Sequence, residues 1–148
     1  ITRNTVAAVL DRNLTKLKMV DTKGINRKTD EWIKELKVVT PSGALPVQSL
    51  SGGNQQKVVL AKWLSTQPKL LILNGPTVGI DIGAKSDIYA YTQKLASEGM
   101  AVIIISDDIP EVLQNCNRVL VMKKGRMVEQ LETANITEQA IAAMLSES

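Results

Sequence analysis

Past residue 50 the chain alternates between two kinds of hydrophobic spacing. Unbroken apolar runs at 70–73 and 100–105 read as strands buried on both faces. Around them apolar residues recur at intervals of three and four. Val58, Val59, Leu60, Trp63 and Leu64 follow Ser51-Gly52-Gly53, and a second helical stretch over 84–96 is closed by Gly99. Asp108-Ile109-Pro110-Glu111 predicts a helix start, with Asp as N-cap, Pro in the first turn and Glu reaching back. Segments 118–122 and 126–131 flank Lys124-Gly125 and predict a hairpin. Thr137 caps a last helix running to Leu145, with Ile136 stapled onto Ile141.

Before residue 50 the spacing is helical throughout. Residues 5–17 place Val6, Val9, Leu10, Leu14 and Leu17 on one face; 28–36 repeat this more weakly with Trp32, Ile33 and Leu36. "TPSGALP" (40–46) is a loop. The predicted class is α/β: a helical portion over 1–50, then over 51–148 a largely parallel sheet with helices on both faces and a C-terminal hairpin.

Composition changes this picture little. The chain has 148 residues, 44% hydrophobic and 22% charged, which suits one globular domain rather than a disordered segment. Its longest apolar run is too short to span a bilayer, and no charged-then-apolar leader points to secretion. An opening Ile in place of Met reads as a fragment or a processed chain. The single cysteine, Cys116, excludes an internal disulfide and is expected to be a small buried hydrophobe in a reducing compartment. The net charge of +3 is local: nine Lys/Arg against five Asp/Glu in 1–50, and nine against ten after it. A basic third suits nucleic acid, an anionic membrane surface or a plain solvated helical face. The bases are interspersed with acids, and there are two Trp, two Tyr and no Phe to stack on bases, which favours the solvated face.

Ligands of parallel sheets gather at the carboxyl ends of the strands, where Asn74-Gly75 and Ser106-Asp107-Asp108 lie. "SGGNQQK" (51–57) adds two glycines and a helix start, a design for holding phosphate on unpaired N–H groups and the positive end of a helix dipole. The same residues also make an ordinary helix start with a polar first turn.

"LSGGNQQKVVLAKWL" (50–64) resembles the signature motif of ABC-transporter ATPases in its Asn-Gln-Gln form. "LLILNGPTVGID" (70–81) resembles their Walker B strand and D-loop, "ISDDIPEVL" stands in the place of the switch loop, and "NRVLVMKKGRMVE" is similar to the closing hairpin. The likeness covers essentially the whole chain, with 1–50 resembling the helical subdomain. "GIDIGAK" and "PEVL" point to the second nucleotide-binding half of bacterial monosaccharide importers of the ribose and galactose type. Neither a P-loop nor the Gln-bearing loop of the family occurs in the sequence, and both would lie upstream of Ile1.

The resemblance implies a head-to-tail pair in which each ATP lies between the P-loop of one half and the signature of the other. Ser51, Gly52, Gly53, Asn54, Gln55 and Asp81 would then meet nucleotide. Asn74 stands where the family has an Asp near magnesium, Gly75 where it has the Glu that polarises water, and Asp107 where it has the switch histidine. No catalytic or metal-binding residue is thus retained in this half, and the isolated chain is expected to be inactive. ATP and Mg would bind in the full two-half assembly only. Implied partners are the second nucleotide-binding half, permease membrane subunits and, through them, a sugar-binding protein, at the cytoplasmic face of the inner membrane and without nucleic acid. A non-catalytic regulatory pseudo-ATPase and a soluble ABC protein acting on nucleic acid or ribosomes are the alternatives. The start of the signature helix is expected to face solvent, so that Gly53→Asp would abolish turnover while leaving the fold intact. Gly75→Ala is expected to change transport little, since that position would have no catalytic task left.

Overall fold

The computed structural model describes residues 22–146; the helix expected over 5–17 lies outside them. Five α-helices and four strands follow in chain order: α1 (Thr22–Glu35), α2 (Gly52–Leu64), β1 (Leu70–Asn74), α3 (Ile82–Ser97), β2 (Ala101–Ile105), α4 (Ile109–Asn115), β3 (Arg118–Lys123), β4 (Arg126–Glu132) and α5 (Glu138–Ser146). The chain divides into two compact units. Of the described residues, the first holds 22–71 and Thr77–Val102, the second Ile72–Pro76 and 103–146.

In the first unit α1 and α3 each stop for a local reason. The Val38 and Lys37 N–H groups donate back to the Ile33 and Lys34 carbonyls at 2.9 and 3.2 Å, with Lys37 left-handed at φ 51°. This double bond is the Schellman closure. Gly99 ends α3 in the same way at φ 95°, with Met100 N–H on Leu95 O and Gly99 N–H on Ala96 O, both 3.0 Å. The expected glycine stop is present. The core is built from Leu36, Val38, Val58, Leu60, Ala61, Leu64, Leu71, Ala84, Ile88, Tyr89 and Leu95. Thr77 and Tyr89 hydroxyls meet at 3.2 Å inside it.

Strands β1 and β2 run parallel: Ala101 N–H bonds Lys69 O at their starts and Gly75 N–H bonds Ile105 O at their ends. They pair only with each other among the described residues, and β3 with β4 form a separate antiparallel sheet. The expected sheet with helices on both faces is therefore met only in part. In β1 Leu71 is buried while Leu70 and Ile72 on either side of it are 47% and 58% exposed, and in β2 Ile103 and Ile105 are 42% and 51% exposed. An unbroken apolar run predicts two covered faces, but covering the second requires a layer that these residues do not supply.

In the second unit, Lys124 (φ 48°) and Gly125 (φ 76°) form the two-residue turn of the hairpin. Positive φ at both central positions is the type I′ geometry, whose twist matches that of paired strands. The register shifts between Val121 and Met122, which face Glu129 and Met127 and leave Val128 as the extra residue of a bulge. Val119 and Val121 pack with Ile141 of α5, and Ile136 joins them as the staple predicted. Asp108 caps α4 by accepting from Glu111 N–H at 3.1 Å, with Pro110 in the first turn. Cys116 is half-buried rather than buried, and burial pushes its thiol pKa up.

Candidate functional site

Ser51 stands just before α2 in extended conformation, exposed, and its hydroxyl does not cap the helix. It accepts instead from Asn54 Nδ2 at 2.9 Å, while Asn54 Oδ1 accepts the Val39 N–H at 2.8 Å. Gln55 Nε2 donates to Leu50 O at 2.8 Å. Two of the three polar side chains in Asn54-Gln55-Gln56 are thus engaged within the chain. The first turn of an α-helix has no intrahelical acceptor for its N–H groups, and Ser51 leaves them uncapped. This end of α2 has the polarity to receive an anion.

The two glycines have different tasks. Gly52 is exposed, and a Cβ there would make only ordinary contacts, 3.7 Å to Ile80 Cγ2 and 3.8 Å to Gly79 O. Gly53 is buried, and a Cβ there would collide with the Ala84 Cβ and lie 3.3 Å from Asp81 Oδ2. Helices α2 and α3 are in close contact at this glycine. The expectation that Gly53→Asp leaves the fold intact is corrected: the helix start faces solvent at Ser51 and Gly52 but not at Gly53.

Asp81 is the N-cap of α3, its Oδ1 accepting from Ala84 N–H at 2.9 Å. The structure therefore brings Ser51–Gly53 and the Gly79–Asp81 loop together at one end of the first unit. Behind them lies a residue that the sequence reading passed over. Lys57 is 5% exposed; its Nζ donates to Asp87 Oδ2 at 2.7 Å and to Lys37 O at 3.1 Å. Lys37 Nζ reaches the other Asp87 oxygen at 3.4 Å. The hydrogen bond from Lys57 is the largest influence on Asp87 and, with Lys37, holds its carboxyl below the usual range despite desolvation. The signal was present: Gly53, Lys57, Leu60, Ala61 and Leu64 fall at spacings of four, three, one and three, so Lys57 sits on the buried stripe.

The other candidates belong to the second unit. Asn74 ends β1 and is exposed; Asp107 is exposed just past β2. The bond from Gly75 N–H to Ile105 O sets these two strand ends side by side. Gly75 has φ 55°, a left-handed conformation that a Cβ disfavours. That backbone makes Gly75→Ala costly to the fold, which is separate from its expected small effect on transport. Asp108 N–H bonds Ser106 Oγ at 3.1 Å, so Asp108 serves the turn and the cap.

The family profile described as "ABC transporter" matches residues 2–78. A protein of Pseudomonas syringae pv. syringae named for ribose/galactose/methyl galactoside import ATP-binding is 47% identical over 127 residues, 86% of this chain and 24% of that one. A ribose import ATP-binding protein of Streptomyces coelicolor is 44% identical, with 89% and 26% covered, and one of Rhizobium johnstonii is 43% identical, with 95% and 27% covered. The chain spans about a quarter of the length of these relatives. Among solved structures, a metal-chelate type ABC transporter in an inward-facing conformation superposes with a TM-score of 0.80 at 18% identity, over 97% of this chain and 57% of that one. A dimeric bacterial ABC transporter cassette gives 0.72 at 20% identity, over 88% and 56%. These two likenesses concern the fold.

Proposed function

The chain belongs to the ABC transporter family, and from that premise we propose that it forms part of the ATP-binding subunit of a ribose/galactose-type sugar importer. Within that subunit it would be the C-terminal part of the second nucleotide-binding half. Its work would be to present Ser51, Gly52 and the uncapped first turn of α2 to an ATP held on the P-loop of the other half. Permease subunits at the cytoplasmic face of the inner membrane and a sugar-binding protein complete the assembly. The observation that carries this reading is the exposed, uncapped start of α2, with Asp81 beside it. Gly52 leaves room for a phosphate to approach the backbone, and Ser51 can add a hydroxyl. The side chains of Asn54 and Gln55 would act indirectly, by holding this turn in shape.

This half's own site is proposed to be hydrolytically degenerate. Asn74 offers an uncharged amide where a cation needs a carboxylate, Gly75 offers no base, and Asp107 would repel a γ-phosphate. Loss at three separate places also suits a regulatory half without turnover. Replacing Ser51 separates the two readings. In the full assembly in vesicles, Ser51→Arg should abolish ATP hydrolysis and sugar uptake, because Ser51 is exposed and the change is tolerated by the fold. Unchanged hydrolysis would refute the signature role and leave the regulatory reading.

A further inference from the structure

Resting on the signature role proposed above, we infer that Lys57 is a positioning residue, which through Asp87 and the Lys37 carbonyl fixes the start of α2 and the Gly79–Asp81 loop as one rigid surface. A lysine that is 5% exposed carries a desolvated charge, which persists only when it is paired and hydrogen-bonded. Lys57 has both: a 2.7 Å ion pair to Asp87 on α3 and a 3.1 Å bond to Lys37 O on the turn that closes α1. One ammonium group therefore ties three segments together.

The geometry around it leaves little freedom. One turn N-terminal to Lys57 on the same helix face is Gly53, pressed so closely on Ala84 that no Cβ fits between them. Asn54 adds a third tie, taking the Val39 N–H at 2.8 Å just beyond the Lys37 anchor. At the start of α3, Asp81 caps the helix whose next turn carries Asp87. Close contact at Gly53 sets the distance between α2 and α3. It does not set how far α2 slides or rotates about that contact, since van der Waals packing of small residues lacks direction. The directional bonds of Lys57 do so. Ser51 and Gly52, which lie less than two turns away, inherit that setting. A phosphate reached by backbone N–H groups is sensitive to displacements of about 1 Å, for which losses on the order of 100-fold are typical.

The experiment uses the full-length protein assembled with its permease. Lys57→Met removes the charge at similar volume, and Lys57→Met with Asp87→Leu removes both members of the pair, so no buried charge is left without its partner; Lys37, which also meets Asp87, is exposed to solvent. Each is measured for thermal stability, for kcat and for KM of ATP, beside Lys57→Arg and Ser51→Arg. The inference expects kcat per folded protein to fall at least tenfold in Lys57→Met and in the double variant. KM for ATP should change less than threefold, since ATP would be held by the P-loop of the other half. Lys57→Arg, which keeps the ion pair, should recover most of kcat. A double variant as stable as the wild type and with wild-type kcat overturns the inference, as does a loss of folded protein with kcat unchanged per folded molecule. Loss in Ser51→Arg with wild-type kcat in Lys57→Met and in the double variant refutes the positioning role and leaves the signature role standing. Wild-type turnover in Ser51→Arg removes both.

Discussion

Gly53→Ala is a small perturbation whose sign is decided by the structure. In an open helix the change would stabilise by about 0.5–1 kcal/mol, because alanine loses less backbone entropy than glycine. Here the new methyl would collide with the Ala84 Cβ, with Asp81 Oδ2 at 3.3 Å and Ala84 Cα at 3.8 Å. The Ala84 Cβ belongs to a helix held by its cap and by Lys57, so it has no rotamer by which to yield. Helices α2 and α3 must part, which exposes Val58, Ala61 and Ile88, now 2–3% accessible, to voids. Inserting a methyl into a packed contact costs about 1–3 kcal/mol. Set against the helix-propensity gain, the net loss is on the order of 1–2 kcal/mol. Urea titration followed by circular dichroism reads this directly. Gly52→Ala is the control, since its Cβ makes contacts of 3.7 and 3.8 Å only and should be neutral or slightly stabilising. Adding Ala84→Gly to Gly53→Ala returns one methyl's worth of space and should recover the packing loss, less about 1 kcal/mol for a glycine in α3. Equal midpoints for Gly52→Ala and Gly53→Ala would show that the close approach of the two helices does not constrain them.

Further outcomes follow from other local features. Gly75→Ala should lose about 1–2 kcal/mol for its left-handed backbone, visible in the same titration. Restoring chemistry to this half by Asn74→Asp, Gly75→Glu and Asp107→His together should raise hydrolysis in the full assembly. Gly75→Glu alone should not, and a tenfold gain from it would contradict the proposal of coupled loss. Lys124→Asn should stabilise the hairpin by a few tenths of a kcal/mol to about 1, because asparagine tolerates the φ of 48° that a type I′ turn demands; thermal melting of the two forms tests it. The depressed pKa of Asp87 gives stability that is present above the ordinary aspartate pKa and lost as pH falls through the folded value. Asp87→Asn should therefore be less stable at neutral pH and lose less stability below about pH 4, as acid titration of the melting temperature would show.

What the sequence revealed depended on how local the cause was. The Asp108 N-cap, the Gly99 stop and the Lys124-Gly125 turn each rest on residues within a few positions, and each is present, with the Asp108 N–H on Ser106 Oγ. Lys57 was missed because a lysine directly after a polar first turn reads as solvated. Its partner Asp87 stands 30 residues away, so only folding shows that a carboxylate waits on the buried face. Gly53 was read as room for a ligand, since sequence does not distinguish a glycine that admits phosphate from one that admits a neighbouring helix. The strand runs at 70–73 and 100–105 reported strand and burial together. The strands are there, and the burial is one-sided.

That one-sidedness has a consequence for handling the chain. Among the described residues β1 and β2 have no strand neighbour but each other, so each keeps one outer rim of backbone N–H and C=O groups without a strand partner, and Ile72, Ile103 and Ile105 are exposed beside it. Directional hydrogen-bond vacancies beside an adhesive apolar floor form a template for strand addition. In solution such a surface recruits whatever extended segment is most abundant, and in a concentrated preparation that is another copy. Light scattering should therefore grow with concentration, and a charged residue at Ile72 or Ile103 should suppress that growth.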